Sequence, residues 1–463
     1  MSRPWTLLGV AILALALSAC GGKEGAEEGG GAGTEARPTA AAGLVSIDFW
    51  HSESAAIETT LERLIDRFNA SQDEVKVRLL FQGGSDQLIL KLLTSLRGGD
   101  VPALVELADV DTQVIVDSGG ATPVQKFVDG EGYDLSDFDE KAVQYYMVDD
   151  NLYAMPFAIA VPMLFYNKIP FREVGLDPEK PPLTLDDVQA YSQKLFKVDG
   201  SGNVVRSGIS LDIQAWYLDL TLAEHGDLYV NNNNGRDGRA TEAVFNGPTG
   251  QALFRWWHEM VDKGLAFNVG RNPAGADTFL AVASGRAAMT VGSSQALRSL
   301  FDVLEKGVQG VEMGVGPFPG VASGTGEPGI FSRALWVLNK RPEAEQQAAW
   351  KVARWLAEPE QQAELFAGSG YLPVRVSAYD LEPSRQVLAK YPYYQVPVDL
   401  FVGTPSTPAK LGPRIGPFSK VREIVAQALE EMVVGGKDPV EALDDAAERA
   451  TKELQDYNRS VGE

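Results

Sequence analysis

Apolar and polar positions fall into blocks that alternately predict strands and helices. Residues 44–50 are mostly apolar, as in a buried strand, and the apolar positions of 57–68 recur at helical spacing. Residues 74–82 predict a second strand, 88–96 a short helix and 103–108 a third strand. This alternation predicts an α/β fold with a largely parallel sheet.

The later part of the chain continues this pattern. The apolar segment 154–167 contains two prolines and predicts an extended segment that crosses between domains. Thr184 and Asp438, the second followed by proline, predict helix N-termini. Residues 343–357 carry alanine, valine and leucine on one helical face, and the Gly-Val-Gly-Pro sequence at 314–317 predicts a loop.

The N-terminus predicts export. Arg3 precedes the uninterrupted apolar run Leu7–Leu17, which is too short for a permanent membrane span. Leu17-Ser18-Ala19-Cys20 resembles a bacterial lipobox, which implies cleavage before Cys20 and lipidation of that residue. We therefore expect a signal peptide at 1–19 and a lipidated cysteine with a flexible tether at 20–43, with the membrane reached only through the lipid.

Charge and composition exclude several functions. The net charge is −22 and the pI near 4.7, so the basic face that nucleic-acid binding requires is missing. Cys20 is the single cysteine, so the exported domain has no disulfide. The histidines His51, His225 and His258 are far apart, and no phosphate-binding or nucleophile motif occurs, so we expect no metal, no cofactor and no enzyme. Acidic pairs such as Asp109 and Asp111 keep a hydrolase open as an outside alternative.

Three polar residues follow predicted strands or lie in the loops after them. These are His51, Ser85 and Asp109, and ligands of α/β sheets bind where such loops gather. Residues of these types also cap helices and turns, so their position alone leaves both interpretations open.

Short segments in a constant order carry a family resemblance. They are 49–52 (Phe-Trp-His-Ser), 67–70 (Arg-Phe-Asn-Ala), 166–168 (Tyr-Asn-Lys), 175–178 (Gly-Leu-Asp-Pro), 269–271 (Val-Gly-Arg), 288–290 (Ala-Met-Thr), 335–337 (Leu-Trp-Val), 370–373 (Gly-Tyr-Leu-Pro) and 438–454. In these segments the chain resembles the family 1 extracellular solute-binding proteins of ABC importers, and most closely their glycerol-3-phosphate-binding members.

This resemblance implies two α/β lobes of the type II periplasmic-binding-protein kind, with the ligand in the cleft between them. The implied N-lobe comprises 44–157 plus 292–340, and the C-lobe comprises 158–291 plus 341–463. It also implies a monomer that faces the periplasm or the cell exterior and has two partners, a small-molecule ligand and the membrane permease subunits of an importer.

The resemblance also implies a ligand site. The ligand-binding positions are Ser85, Asp109, Trp216, Ser293, Ser332, Tyr371 and Arg422, and the pocket-lining positions are His51, Ala160 and Leu185. Arg422 offers a fork of donors to phosphate oxygens, although without the resemblance it would be interpreted as a helix-surface arginine. With the implied boundaries, Tyr371 and Arg422 both belong to the C-lobe and form an anion clamp with Ser293.

The implied ligand is glycerol-3-phosphate or a glycerophosphodiester such as glycerophosphocholine. Ser85 and Leu185 stand where the glycerol-phosphate binders have bulky aromatics, which leaves space beyond the glycerol. A neutral sugar or oligosaccharide is the alternative, because Trp50, Trp216, Tyr217 and Tyr371 could stack on sugar rings.

Overall fold

Strands and helices alternate along most of the chain in the computed structural model, which describes residues 43–53, 55–272, 275–305, 310–322 and 329–462. The strands are β1 (Val45–His51), β2 (Val75–Phe81), β3 (Leu104–Ala108), β4 (Ala121–Thr122), β5 (Met147–Val148), β6 (Asn151–Leu152), β7 (Met155–Ala160), β8 (Pro162–Asn167), β9 (Lys197–Val198), β10 (Val204–Leu211), β11 (Ala266–Asn268), β12 (Ala287–Ser293), β13 (Met313–Pro317) and β14 (Phe331–Leu338). The helices are α1 (Ala55–Ser71), α2 (Ser85–Gly98), α3 (Thr112–Asp117), α4 (Gln125–Glu131), α5 (Glu140–Tyr145), α6 (Lys168–Glu173), α7 (Leu185–Leu195), α8 (Trp216–His225), α9 (Asn231–Gly235), α10 (Pro248–Asp262), α11 (Asp277–Ala283), α12 (Leu297–Glu305), α13 (Glu343–Leu356), α14 (Pro359–Ser369), α15 (Glu382–Lys390), α16 (Gln395–Phe401), α17 (Phe418–Val433) and α18 (Pro439–Ser460). The predicted signal peptide, Cys20 and nearly all of the predicted tether lie outside the described residues.

Two mixed sheets organise these elements. The first has the order β2-β1-β3-β14-β4, with β7 beside β14, and the second has the order β11-β10-β12-β8-β13, with β9 beside β10. The strands β1, β2 and β3 are parallel, whereas β14 runs antiparallel to β3. In the second sheet, β8 runs antiparallel to both β12 and β13. The predicted α/β class is confirmed, although both sheets are mixed.

Two hydrophobic cores lie against the sheets: the first covers the first sheet and one face of the second sheet, and the second covers the other face of the second sheet. Phe49, Trp336 and Trp350 are buried in the first core, and Phe254 and Trp257 in the second. The first lobe contains the first sheet with α1–α5 and α12–α15, and α16 packs against β13 of the second sheet. The second lobe contains the second sheet with α6–α11, α17 and α18. None of the described helices combines the length and apolar character needed to cross a membrane.

The observed lobes differ from the predicted boundaries. Helix α13 packs on β1 and β14, α14 packs on α1, and α15 packs on α14, so residues 343–390 belong to the first lobe rather than to the C-lobe. Strand β13 and the end of β12 belong to the second sheet rather than to the N-lobe. The prediction failed because apolar spacing shows which side of a helix is buried but not which sheet covers it.

The predicted crossing segment and both predicted helix starts are present. Strand β7 lies in the first sheet and β8 in the second, and the chain passes between the lobes at the buried Val161. The Thr184 hydroxyl accepts the N–H of Asp187, and the Asp438 carboxylate accepts the N–H groups of Val440 and Glu441. These caps satisfy backbone donors that the first helical turn leaves unpaired.

Candidate functional site

A cavity of about 610 Å³ lies between the lobes, where the loops after β1, β3 and β12 meet the first turns of α2 and α8 and the second turn of α17. Loops at strand ends are the usual binding edge of an α/β sheet. All seven predicted ligand-binding residues line this one cavity: Ser85, Asp109, Trp216, Ser293, Ser332, Tyr371 and Arg422. The structure thus brings together residues that are up to 337 positions apart in the sequence (422 − 85).

Arg422 provides a positive charge on the second-lobe side. It lies in the second turn of α17, and its Nη2 donates to Oδ2 of Asp219 on α8 at 2.5 Å. Its Nε is buried and has no hydrogen-bond partner among the described residues. Burial raises the pKa of Asp219 to about 6, although the neighbouring Arg422 opposes this shift. Arg422 therefore keeps its charge and retains a donor that an anion could use.

Asp109 is anchored by the backbone at the opposite wall. One carboxylate oxygen accepts the N–H of Val110 at 2.8 Å, and the other accepts the N–H of Ser332 at 2.8 Å. Burial raises the pKa of this carboxyl, while Arg422 and the two N–H groups lower it. The Ser332 hydroxyl lies 2.8 Å from the hydroxyl of Tyr146. Both side chains are therefore fixed before any ligand arrives.

Tyr371 is part of a buried charged cluster rather than of an anion clamp on the second lobe. Its hydroxyl donates to Oε1 of Glu53 at 3.0 Å, and it belongs to the first-lobe core. Arg333 lies 3.6 Å from Glu53 and 3.2 Å from Glu106, measured between side-chain nitrogen and oxygen. The prediction that Tyr371 and Arg422 share a lobe is therefore wrong, because Tyr371 belongs to the first-lobe core whereas α17 packs in the second.

Aromatic rings form the apolar part of the wall. Trp216 stacks on Tyr217 with ring centroids 3.9 Å apart, and its edge meets Phe331 at 5.7 Å. The Tyr217 hydroxyl donates to Asp212 at 3.0 Å, which fixes the stack. A second cavity of about 320 Å³ shares Trp216 and Arg422 with the first, so the space continues past the indole ring.

The three residues predicted as pocket-lining do not line this cavity. His51 is buried between Phe49 and Phe81, and burial lowers its pKa. Ala160 is fully buried in β7, and Leu185 is buried at the first turn of α7. The structure therefore corrects these three roles: each side chain packs in a core next to the cleft.

The sequence reasoning missed the acidic partners of both arginines and Arg333 itself. Arg333 stands inside β14, whose other residues are apolar except Ser332, and Asp219 stands in a helix that is buried on nearly every side. A charged residue inside a buried, mostly apolar segment needs a buried partner of opposite charge. This rule could have identified both Arg333 and Asp219 from the sequence. Among the described residues, no cluster of three histidine, cysteine or acidic side chains is placed to hold a metal.

The two lobes are joined by a crossing segment and enclose a polar cavity. This arrangement defines a protein that closes on a small ligand. The sequence pattern of bacterial extracellular solute-binding proteins matches residues 63–392. The chain belongs to this family and is the solute-binding protein of an ABC importer, which acts outside the cytoplasm with a small-molecule ligand and the importer's permease as partners.

Individual relatives agree with this assignment. The chain is 30% identical over 421 residues to the sn-glycerol-3-phosphate-binding periplasmic protein UgpB of Pectobacterium atrosepticum, covering 90% of this chain and 92% of that protein. It is 30% identical over 426 residues to UgpB of Escherichia coli K12, covering 90% and 94%.

Solved structures show the same fold. UgpB of Mycobacterium tuberculosis in complex with glycerophosphocholine has a TM-score of 0.74 at 22% identity, covering 89% of this chain and 99% of that one. The GacH receptor of Streptomyces glaucescens, solved unliganded and with acarbose, has a TM-score of 0.73 at 17% identity, covering 89% and 99%. The family and these neighbours are binding proteins rather than enzymes.

Proposed function

We propose that the ligand delivered to the importer is a glycerol phosphate compound, either glycerol-3-phosphate or a glycerophosphodiester such as glycerophosphocholine. The observation that carries this proposal is the placement of Arg422 in the cleft, with a buried Nε donor still unpaired. Serine hydroxyls at 293 and 332 line the same cavity and can bond phosphate or glycerol oxygens. The relatives named for glycerol-3-phosphate and glycerophosphocholine support the same ligand class.

The charges of the cavity favour the diester over the monoester. Among the described lining residues, four are acidic (Glu53, Asp86, Asp109 and Asp212) and two are basic (Arg333 and Arg422). A phosphomonoester carries about −1.5 to −2 charges at neutral pH, whereas a diester carries one. The cavity volume and the small Ser85 also leave room for a group beyond the glycerol. Leu185 does not line the cavity, so it does not contribute to this space.

A neutral sugar is the second candidate, and two observations favour it. Trp216, which stacks on the buried Tyr217, lines the cavity with a large aromatic side chain. In addition, both arginines already have carboxylate partners, as in a site that binds hydroxyl groups. The acarbose-binding receptor shows that this fold also holds sugar-like ligands.

Isothermal titration with glycerol-3-phosphate, glycerophosphocholine, maltose and trehalose separates the candidates. We expect binding of the phosphate compounds, with glycerophosphocholine the tighter of the two. Tight sugar binding with no response to either phosphate compound would refute the proposed ligand. Incubation with each compound and a check for products tests the hydrolase alternative, for which we expect none.

We further propose that the protein is a monomer anchored to the membrane by lipid at Cys20. The lipobox-like sequence before Cys20 and the tether composition support the anchor. The anchor would keep the binding lobes near the permease while the tether lets them turn.

A further inference from the structure

Arg333 is the second arginine that lines the cavity, and two carboxylates of the first lobe lie beside its guanidinium. Its Nη1 lies 3.2 Å from Oε1 of Glu106, and its Nε lies 3.6 Å from Oε1 of Glu53. Glu106 is fully buried and Glu53 is 3% exposed, so water screens neither charge well. The two carboxylates together outweigh the single guanidinium.

The remaining contacts of Arg333 are with hydroxyl groups. Its Nη1 also donates to the Oγ of Ser52 at 3.2 Å and to the Oγ of Ser85 at 3.0 Å, and both serines line the cavity. The first lobe therefore offers the ligand hydroxyls and a guanidinium whose charge is already compensated. Arg422 differs in its hydrogen bonds: Asp219 is its one hydrogen-bonded carboxylate among the described residues, Asp109 acts on it electrostatically, and its Nε has no hydrogen-bond partner there.

We propose that Glu53 is a specificity-determining residue: together with Glu106 it gives the group around Arg333 a net negative charge, so that the first-lobe half of the cavity accepts the hydroxyl-bearing end of the ligand and rejects a second anionic group. This refines the proposed function, in which Arg422 takes the phosphate. An anion beside Arg333 would lie within a few ångströms of the Glu53 carboxylate, and repulsion at that distance in a buried site is strong. Compounds with an anionic group at each end are therefore excluded.

The test removes the Glu53 charge and measures binding of sulfate, a probe that keeps its charge between pH 5 and 9. Titrations are made at pH 8, above the pKa of about 7 that burial gives Glu53. We expect Glu53→Gln to bind sulfate at least tenfold more tightly than the natural protein. If Glu53→Gln does not fold, Glu53→Ala replaces it with the same expected gain.

Two further variants locate the effect. Glu53→Gln/Arg333→Gln should lose the gain, because without Arg333 the buried Glu106 carboxylate is no longer balanced and repels the anion. Glu312→Gln is the matched control: it removes one carboxylate that pairs with an arginine, Arg172, in an exposed ion pair outside the cavity. It should bind sulfate as the natural protein does.

The proposal is overturned if Glu53→Gln binds sulfate no more tightly, or if the gain persists without Arg333. Its failure can be distinguished from failure of the proposed ligand. Glu53→Gln/Arg422→Ala should keep the gain, because the effect depends on Arg333, and it should do so even if titration shows that the natural ligand is a neutral sugar.

Discussion

Replacing Arg422 with alanine should abolish tight binding of a phosphate ligand. With Nη2 held by Asp219 and Nε unpaired, an incoming phosphate can form about two charge-assisted bonds with this side chain. Each such bond contributes about 1.5–3 kcal/mol, so the loss is about 3–6 kcal/mol, or roughly a hundredfold to ten-thousandfold in Kd. Arg422→Lys should fall between, because lysine keeps the charge but loses the fork.

The same substitution should also destabilise the second lobe. Removal of the guanidinium leaves Asp219, whose side chain is 6% exposed, without its partner. Breaking one side of a buried ion pair costs about 3–5 kcal/mol. The double variant Arg422→Ala/Asp219→Asn should regain most of this stability without regaining phosphate binding, which separates lost binding from lost folding.

The assay is titration calorimetry with glycerol-3-phosphate and glycerophosphocholine, with thermal unfolding measured for each variant. Arg172→Ala serves as the control, because its ion pair with Glu312 is about half exposed and such pairs contribute about 1 kcal/mol or less. If folded Arg422→Ala binds a phosphate ligand as the natural protein does, Arg422 does not contact the phosphate and the reasoning fails.

Four further predictions concern the anchor, the cavity and the fold. Cys20→Ser should release the protein from the membrane fraction or leave it unprocessed, and unchanged processing with full retention would contradict the lipid anchor. Asp109→Asn should weaken phosphate-ligand binding in calorimetry less than Arg422→Ala does, because the Asp109 carboxylate would repel a phosphate and should therefore face the hydroxyl end of the ligand. An equal loss in the two variants would contradict this orientation. Burial raises the pKa of Glu53 from 4.5 to about 7, so its contribution to the free energy of unfolding is present below pH 4.5 and is lost as the pH rises to about 7. Urea unfolding should therefore show a decrease of about 3 kcal/mol over this range in the natural protein and a smaller decrease in Glu53→Gln, and the same decrease in both would contradict this assignment. Asp438→Ala removes the cap of α18 and should lower the unfolding free energy by about 1 kcal/mol, and no change would show that the cap is not needed.

Local patterns predicted most of the elements but not their assembly. The strand predicted at 74–82 is β2 (Val75–Phe81), and the cap at Thr184 forms as expected. The segment 314–317 is strand β13 rather than a loop, because its glycines face bulky neighbours: a Cβ on Gly314 would lie 2.3 Å from the Tyr166 ring. Glycine at this position allows two chain segments to pack closely. A single sequence does not show whether a glycine serves close packing of this kind or a turn.

The site shows the same division. The resemblance selected seven residues that line one cavity, yet local sequence gives no sign that Tyr371 bonds to Glu53 or that Arg422 pairs with Asp219. Those partners lie 318 and 203 positions apart in the chain. Electrostatic balance in a buried site depends on such long-range pairs, and only the three-dimensional structure supplies them.

The repeated passage of the chain between the lobes also has a kinetic consequence. The first sheet needs β14 (Phe331–Leu338) beside β3, and the second core is completed by α17 and α18 near the C-terminus. Neither core can close until most of the polypeptide has been synthesised, and contacts over such sequence distances form slowly. A chain that is slow to fold stays extended for longer, and an extended chain is the form that can be threaded through a narrow translocation channel.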